Sequence, residues 1–285
     1  MQIMPKAFVV GHPIAHSRSP LIHGFWLAEH GLGGSYERID VAPQDFPDFL
    51  RDFPKRGYLG GNVTIPHKEA ALAGIDHASA RATRLGAVNT LWLEDGRLFG
   101  DNTDIAGFLA NLDEACSPDW AANCRIAVVI GAGGAARAVV AGLAERGLDC
   151  IHVVNRSPEK AALLAGLAPG QIRAHGLDAL DGLLPGAGLI VNTTALGMTG
   201  QPALGIDLAP CRDDAIISDI VYTPLETPLL AQARARGLFA VDGLGMLLHQ
   251  AVPGFARWFG VTPRVTQALR DHVCADLLAG KGNST

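Results

Sequence analysis

A glycine-rich turn between an apolar strand and a helix is the feature that most restricts how this chain can fold. Residues 125–130 (RIAVVI) predict a buried strand, and the sequence GAGGAA (131–136) follows it without a spacer. A helical pattern over 135–146 begins inside this turn. Glycines spaced as G-x-G-x-x-G/A let the backbone approach a pyrophosphate, whose negative charge is favoured at a helix N-terminus. The turn therefore predicts a dinucleotide site at Gly131, Ala132, Gly133, Gly134 and Ala135.

Strand and helix patterns alternate along the whole chain, which predicts an α/β fold with sheets covered by helices. In the first hundred residues we expect strands at 7–10, 36–41 and 61–65 and a hairpin at 87–99. After the glycine turn we expect buried strands at 150–154, 188–191, 215–220 and 238–241. This second series is what a Rossmann-type domain requires. The helical segment from about Gly245 has no strand partner in sequence, so we expect it to pack on the first domain.

The residues after the second strand of this series indicate which dinucleotide the site takes. A site for NAD usually carries Asp or Glu there, which accepts hydrogen bonds from the adenosine ribose. This chain carries Asn155, Arg156 and Ser157 instead. A guanidinium attracts a ribose 2′-phosphate and can bind it with two hydrogen bonds, whereas a carboxylate repels it. We therefore predict NADP as the cofactor, with Arg156 as its determinant and Asn155, Ser157 and Lys160 beside it; the alternative is a solvated loop arginine.

Composition excludes several classes of partner. The 285 residues are 48% hydrophobic and 18% charged, enough for two domains with large cores. A net charge of −5 argues against nucleic acid, which requires concentrated positive charge. No run approaches the roughly 20 apolar residues of a membrane span, and the five cysteines form no C-x-x-C pair. His12 and His16 flank Pro13 in a predicted loop, which does not suit a metal site. We expect a cytoplasmic protein without nucleic-acid, membrane or metal partners.

Two serines stand at the predicted start of the first helix. Ser19 suits an N-cap and Pro20 the first helical position. The hydroxyls of Ser17 and Ser19, next to unpaired helix N–H groups, would suit a carboxylate ligand. Helix capping alone is the alternative explanation.

Lys68 stands where local electrostatics disfavour a cation. Pro66 predicts a helix start, so Lys68 lies in the first turn, where its charge opposes the helix dipole. Such a lysine is a candidate general acid or base, and a solvated surface lysine is the alternative. Asp104 precedes another helical run, either as an N-cap or as the second group of a proton-transfer pair. Asn89, in an apolar strand pattern, needs a partner if buried, and a polyhydroxy ligand would supply one.

Seven segments together resemble the shikimate dehydrogenase family. They are GHPIAHSRSP (11–20), NVTIPHKE (62–69), GAVNT (86–90), GDNTD (100–104), the glycine turn, NRS (155–157) and DGLGMLLHQ (242–250). They stand in the family order and span nearly the whole chain. The resemblance implies reversible NADPH-dependent reduction of 3-dehydroshikimate to shikimate, a step of aromatic amino-acid biosynthesis.

The resemblance also implies an architecture and a set of site residues. It implies two three-layer αβα domains with an active-site cleft between them. Residues 1–104 and 245–285 would form the substrate-binding domain, and residues 105–244 the NADP-binding Rossmann domain. Lys68 and Asp104 would be the catalytic pair, with Ile220 and Gly243 near the nicotinamide. The substrate contacts would be Ser17 and Ser19 for the carboxylate and Thr64, Asn89, Tyr222 and Gln250 for the ring hydroxyls.

Two other functions stay open at this point. A quinate/shikimate dehydrogenase that uses NAD or both cofactors is one, although the sequence after the second strand argues against it. A metabolite sensor without catalysis is the other, although Lys68 and Asp104 are both present. The chain departs from the family pattern at Gly24, where many relatives carry Asn, and at Ala80, where some carry an acid. The oligomeric state, a homodimer included, is left open.

Overall fold

The computed structural model describes residues 4–279, which divide into two compact units. The first unit holds the described chain up to Thr103 together with Gln250–Ala275. The second holds Asp104–His249 and the described residues from Asp276 onward. The chain therefore changes unit at Thr103/Asp104 and at His249/Gln250, within a few residues of the expected boundaries, and again at Ala275/Asp276, where no boundary was expected.

The first unit is built on a six-stranded mixed sheet. Its strands are β1 (Lys6–Gly11), β2 (Ser35–Asp40), β3 (Tyr58–Val63), β4 (His77–Ala78), β5 (Thr90–Glu94) and β6 (Arg97–Asp101). Its helices in the N-terminal part of the chain are α1 (Ser19–Glu29), α2 (Phe46–Asp52), α3 (Lys68–Ala73) and α4 (Ala80–Leu85). The strand order is β2-β1-β3-β5-β6-β4. β1 pairs in parallel with β2 and β3, whereas β5 runs antiparallel to β3 and β6.

Alternate side chains of β1 enter separate apolar layers on the two faces of this sheet. Phe8 packs against the aromatic rings of α2 and its surroundings, with the Phe8 and Phe49 ring centroids 5.2 Å apart. Ala7 and Val9 pack on the opposite face with Tyr36 and Trp258. The central strand of the first unit is therefore buried on both sides, as an α/β/α arrangement requires.

The second unit is built on a fully parallel six-stranded sheet. Its strands are β7 (Ile126–Ile130), β8 (Cys150–Val154), β9 (Ile172–His175), β10 (Leu189–Asn192), β11 (Ile216–Asp219) and β12 (Phe239–Val241). Its helices are α5 (Asp104–Ala115), α6 (Trp120–Cys124), α7 (Gly134–Glu145), α8 (Pro158–Ala162), α9 (Leu180–Leu183) and α10 (Pro228–Ala235). The order β12-β11-β10-β7-β8-β9 changes direction between β7 and β10. Ala127 and Val129 enter one apolar cluster and Val128 and Ile130 the other, which explains why this strand is apolar throughout.

Two helices close the chain, α11 (Leu244–Phe259) and α12 (Gln267–Ala279). The end of α11 is tied to the first unit, where the Trp258 indole N–H donates to the Leu91 carbonyl at 2.9 Å. The loop after α11 is tied there too, because the Trp26 indole donates to the Arg264 carbonyl at 3.0 Å. Gln250–Ala275 thus belongs to the first unit, whereas residues 245–249 and the described residues from Asp276 onward, which were also expected there, belong to the second unit.

The predicted α/β fold is confirmed, and the differences from the sequence patterns are local. β3 begins and ends earlier than expected, and Asn89 precedes β5 instead of lying within it. The short strands β4 and β9 were not predicted, because neither has a long apolar run. The expected hairpin is present, and Asp95 and Gly96 alone, both with positive φ, join β5 to β6. No helix in residues 4–279 is long and apolar enough to cross a bilayer.

Candidate functional site

The carboxyl edge of the second sheet carries a close approach at the point where the strand order changes direction. Gly131, directly after β7, has φ +110°, and a Cβ on it would lie 2.6 Å from Thr193 Oγ1. Thr193 directly follows the neighbouring strand β10, and its hydroxyl donates to the Ile130 carbonyl at 2.7 Å. Only glycine allows this contact. In open α/β sheets this position is where ligands bind.

The rest of the glycine turn faces open space. A Cβ added to Gly133 or Gly134 would meet no atom within 4 Å. Gly133 is the N-cap of α7 and offers no side chain to the first N–H groups of this twelve-residue helix. Ala132 and Ala135 are half-buried beside it, whereas Ala136 is buried in the core. Backbone donors and free space together fit the pyrophosphate of a dinucleotide.

The turn after β8 presents two cations. The Asn155 N–H donates to the His175 carbonyl at 3.1 Å, and its side-chain amide donates to the Ser157 carbonyl at 3.0 Å. Ser157 is the N-cap of α8, and Arg156 and Lys160 are exposed on either side of it. In the described part of the chain, no carboxylate pairs with Arg156. The predicted cofactor-selecting residues thus form one ordered turn whose guanidinium is available to a phosphate.

Sequence reasoning missed the polar group that orders the ends of β10 and β11. Asp219 is fully buried and accepts hydrogen bonds from the Asn192 side chain, the Thr227 hydroxyl and the Val221 N–H at 2.7–3.0 Å. Burial raises the pKa of the Asp219 carboxyl above its ordinary value. The sequence signal that could have revealed this group is the polar residue at the end of each apolar strand, Asn192 in β10 and Asp219 in β11. These bonds hold the turns that carry Thr193 and Ile220.

Ile220 and Gly243, both predicted near the nicotinamide, are brought together in the second unit. A Cβ on Gly243 would lie 2.2 Å from the Ile220 carbonyl oxygen, so the two backbones touch. The Ile220 N–H donates to the Asn192 carbonyl at 3.1 Å. Tyr222, two residues later, is half-buried. The three residues therefore belong to the same edge of the sheet as the glycine turn.

In the first unit, Ser17 and Ser19 form the predicted hydroxyl pair. The Ser17 hydroxyl donates to Ser19 Oγ at 3.3 Å and accepts the Ser19 N–H at 3.3 Å. The N-cap of α1 is Arg18, so the prediction of Ser19 as N-cap is wrong by one residue. The loop is held by β2: Arg38 Nε donates to the Ser17 carbonyl at 2.9 Å, and the Asp40 carboxylate accepts the Ile14 N–H at 3.2 Å.

Lys68 is the first residue of α3 and is half-buried. Its predicted place in the first turn is confirmed, although the helix begins at Lys68 and not at Pro66. The preceding His67 is buried, stacks on Phe46 at 4.3 Å and bonds the Val41 carbonyl through Nε2 at 2.7 Å. Thr64 contacts the end of β1, where its N–H donates to the Val10 carbonyl at 2.9 Å.

Asn89 is buried, and protein groups satisfy its amide oxygen. Oδ1 accepts the Thr103 N–H at 2.8 Å, the Thr103 hydroxyl at 3.1 Å and the Thr90 hydroxyl at 2.9 Å. The expected need for a partner is therefore met at this oxygen by protein donors, and the predicted contact of Asn89 with the substrate stays a prediction. The neighbouring Val88 N–H donates to the Lys68 carbonyl at 2.9 Å, and buried Asp104 directly follows Thr103 as the first residue of α5.

Gln250, the last of the predicted substrate contacts, is half-buried on α11 within the first unit.

No group of three or more His, Cys, Asp or Glu side chains in residues 4–279 is arranged to hold a metal ion.

His23 lies behind the serine loop, fully buried on α1. Its ring stacks on Tyr36 at 3.9 Å and lies 5.8 Å from Phe255. Neither ring nitrogen makes a hydrogen bond to another described residue, although the Asn62 side chain is near enough to affect its titration. Burial lowers the pKa of His23 to about 3, and the nearby Asn62 amide offsets part of that effect.

Family models for shikimate dehydrogenases match most of the chain. Residues 9–91 match the shikimate dehydrogenase substrate binding domain, residues 118–199 the shikimate / quinate 5-dehydrogenase model and residues 243–270 the shikimate 5′-dehydrogenase C-terminal domain. A protein of Methylobacterium radiotolerans named shikimate dehydrogenase (NADP(+)) is 62% identical over 275 residues, covering 96% of this chain and 98% of the relative.

Solved structures of related enzymes share the fold over nearly the whole chain. Quinate dehydrogenase from Corynebacterium glutamicum in complex with NAD superposes with a TM-score of 0.89 at 31% identity, covering 95% of this chain and 99% of that one. Shikimate 5-dehydrogenase from Thermus thermophilus in complex with NADP(H) and shikimate gives a TM-score of 0.83 at 37% identity, with 96% and 100% coverage.

The buried imidazole of His23 predicts a loss of stability in acid. The folded protein keeps this ring neutral down to about pH 3, whereas the unfolded chain binds a proton near pH 6.5. Acidification below pH 6.5 therefore favours the unfolded chain by up to about 1.4 kcal/mol per pH unit for this one proton. His23→Phe keeps the aromatic contacts and removes the titration, so its free energy of unfolding falls less steeply. Urea denaturation at pH 7.5, 6 and 4.5 measures how the free energy of unfolding changes with pH in the wild type and in His23→Phe. Equal changes in the two proteins would contradict a neutral buried His23.

Proposed function

The chain belongs to the shikimate dehydrogenase family, and on that premise we propose that it catalyses the NADP-dependent interconversion of 3-dehydroshikimate and shikimate. The observation that carries the proposal is the 62% identity with a relative named shikimate dehydrogenase (NADP(+)) over 96% of this chain. We also propose a cytoplasmic location, which is supported by the five cysteines, since none of them forms a disulfide bond within residues 4–279.

The second unit suits NADP at both ends of the proposed binding site. The open glycine turn at the start of α7 offers backbone N–H groups to the pyrophosphate, and the Asn155–Ser157 turn offers Arg156 to the 2′-phosphate. Lys160, exposed on α8, adds a second positive charge near that turn. Ile220 and Gly243 are assigned to the nicotinamide end. Bound NADPH supplies the hydride, and the protein supplies binding, orientation and a proton.

The substrate is assigned to polar groups that the fold already orders. The Ser17 and Ser19 hydroxyls, beside the first N–H groups of α1, are proposed to bind the carboxylate. Four further side chains are proposed to bind the ring hydroxyls, namely Thr64, Asn89, Tyr222 and Gln250. Protein donors occupy the Asn89 amide oxygen, and we assign the NH₂ group to the ligand because a ring hydroxyl can accept from it.

Lys68 and Asp104 are proposed as the catalytic pair. During reduction the Lys68 ammonium gives a proton to the oxygen of the keto group, and during oxidation its amine takes that proton back. Asp104 orients the substrate hydroxyl and Lys68. The pairing is supported by the bond that the Val88 N–H donates to the Lys68 carbonyl and by the bonds that Thr103, the residue before Asp104, donates to Asn89.

Quinate oxidation with NAD is the second candidate, favoured by the TM-score of 0.89 to a quinate dehydrogenase with NAD. Initial rates with shikimate or quinate, each with NADP⁺ or NAD⁺, separate the two. We expect the highest kcat/KM for shikimate with NADP⁺, and this value should exceed that for quinate with NAD⁺ by a factor on the order of 10². The reverse ranking would identify a quinate dehydrogenase. Binding of shikimate without turnover in any combination would identify a sensor.

Removal of the proposed proton donor should impair the reaction more than substrate binding. Lys68→Ala is expected to lower kcat by roughly 10²–10⁴ with a smaller change in the KM for shikimate. Lys55→Ala, which removes an exposed lysine paired with Asp52, is the control and should match the wild type. A variant at Lys68 that keeps kcat and changes only KM would make Lys68 a binding residue.

Loss of the proposed phosphate contact should weaken NADP selectively. Arg156→Ala is expected to raise the KM for NADPH by roughly 10-fold or more, because a charge-assisted bond is lost, and to leave the KM for NADH nearly unchanged. Arg234→Ala removes an arginine of the same unit that pairs with Glu226, and it controls for the change in net charge. An unaltered preference for NADPH in Arg156→Ala would eliminate this residue as the determinant.

A further inference from the structure

A chain of partly and fully buried hydrogen bonds in the first unit begins at Tyr36 on β2. The Tyr36 hydroxyl donates to Asn62 Oδ1 at 2.6 Å, which is a short bond. The ring is buried and held by the stacked His23 ring at 3.9 Å and by Trp258 at 5.8 Å. Burial raises the pKa of Tyr36 well above 10, so its hydroxyl keeps the donated proton throughout the physiological range.

Asn62 has only one orientation that satisfies its neighbours. Its Nδ2 lies 3.1 Å from the Asn89 carbonyl oxygen and 3.2 Å from Thr90 Oγ1. A carbonyl oxygen only accepts hydrogen bonds, so the NH₂ group must face Asn89 and Oδ1 must face Tyr36. Tyr36 supplies the donor that this orientation needs, and a flipped amide would place two acceptors against each other.

Thr90 links Asn62 to Asn89, because its hydroxyl accepts one hydrogen bond and donates the next. Because Thr90 Oγ1 accepts from Asn62, its proton is available to Asn89 Oδ1 at 2.9 Å. The same oxygen accepts the Thr103 N–H at 2.8 Å. Thr90, Asn89 and Thr103 are each at most 4% exposed, so water does not replace a lost bond at low cost. The bonds thus connect the position of Thr103, and of Asp104 after it in the chain, to the orientation of the half-buried Asn62 amide.

We propose that Tyr36 is a positioning residue for the reaction, acting through Asn62 and Thr90 to fix the Asn89 amide and the Thr103 backbone. The inference rests on the proposed function, in which Asn89 binds the substrate and Asp104 is catalytic. Tyr36 itself is given no role in chemistry. Its effect is orientation, and small displacements of reacting groups lower the rate of the chemical step strongly.

Replacement of the two ordered tyrosines of this sheet separates positioning from a general loss of stability. Tyr36→Phe removes the hydroxyl that donates to Asn62 and also interacts with the Ser19 side chain. We expect it to lower kcat for shikimate oxidation about 10-fold while the KM for NADP⁺ stays within about twofold, and the Thr90 variants separate the route through Asn62 from one through Ser19. Tyr58→Phe is the matched control, because the Tyr58 hydroxyl donates to Glu37 Oε2 at 2.8 Å outside the chain of bonds. We expect Tyr58→Phe to keep the wild-type kcat. Equal kcat values in the two variants would overturn the proposal.

Thr90 tests the same chain from its middle. Thr90→Val removes the linking hydroxyl and should lower kcat as Tyr36→Phe does, whereas Thr90→Ser keeps the hydroxyl and should restore most of the activity. If Tyr36 acts through Thr90, the double variant Tyr36→Phe/Thr90→Val is no slower than the slower single variant. If the kcat losses of the two single variants instead multiply in the double variant, Tyr36 acts by another route and the proposal is overturned. Thr90→Val also keeps the test valid should Tyr36→Phe fold poorly.

Amide hydrogen exchange at Thr103 tests the chain without any turnover. The Thr103 N–H should exchange several-fold faster in Tyr36→Phe and Thr90→Val than in the wild type or Tyr58→Phe, because its acceptor is no longer held. Unchanged exchange would overturn the inference even if kcat falls. A wild-type protein that does not oxidise shikimate would instead refute the proposed function, and the exchange comparison would still decide whether Tyr36 orders this segment.

Discussion

The same contact recurs at the carboxyl edge of both sheets, and the candidate site depends on it. In each unit a glycine ends or directly follows the first strand, and a threonine that follows the neighbouring parallel strand packs against that glycine. A Cβ on Gly11 would lie 2.5 Å from Thr64 Cγ2, and one on Gly131 would lie 2.6 Å from Thr193 Oγ1. The backbone bonds correspond as well, because the N–H of each threonine donates to the last carbonyl before the glycine at 2.9 Å. Parallel pairing brings strand ends to one edge, and the missing Cβ lets their loops approach each other.

The two units order their functional residues by different means. In the second unit, the backbone supplies the glycine turn, the N-terminus of α7 and the contact between Ile220 and Gly243, and the buried Asp219 holds the turns after β10 and β11. In the first unit, a connected set of partly and fully buried side-chain hydrogen bonds sets the orientations of Asn62 and Asn89. Such a network is costly when partly satisfied, so it favours one arrangement strongly. This difference suits a cofactor recognised through its phosphates and a substrate recognised through several hydroxyls.

Local patterns were sufficient for much of the fold. The predicted strand at 150–154 coincides with β8, and the strand at 125–130 differs from β7 by one residue, because fully apolar runs are hard to place anywhere except inside a parallel sheet. Errors gathered at the ends of elements. The helix after Pro66 begins two residues later than expected, and Arg18 rather than Ser19 caps α1. These ends are decided by loop contacts such as the bond from Arg38 to Ser17, which join residues far apart in sequence.

The sequence by itself determined the α/β class, the glycine turn for a dinucleotide, the candidate phosphate contact at Arg156 and the family to which the chain belongs. These follow from residue type and short spacing, because glycine conformation, strand periodicity and charge act within a few residues. Only the tertiary structure decided how Asn89 is satisfied, that Tyr36 and Thr90 orient it and that Thr193 meets Gly131. Those facts depend on strand order and register, which bring together side chains from β2, β3 and β5, and no short stretch of sequence encodes such pairings.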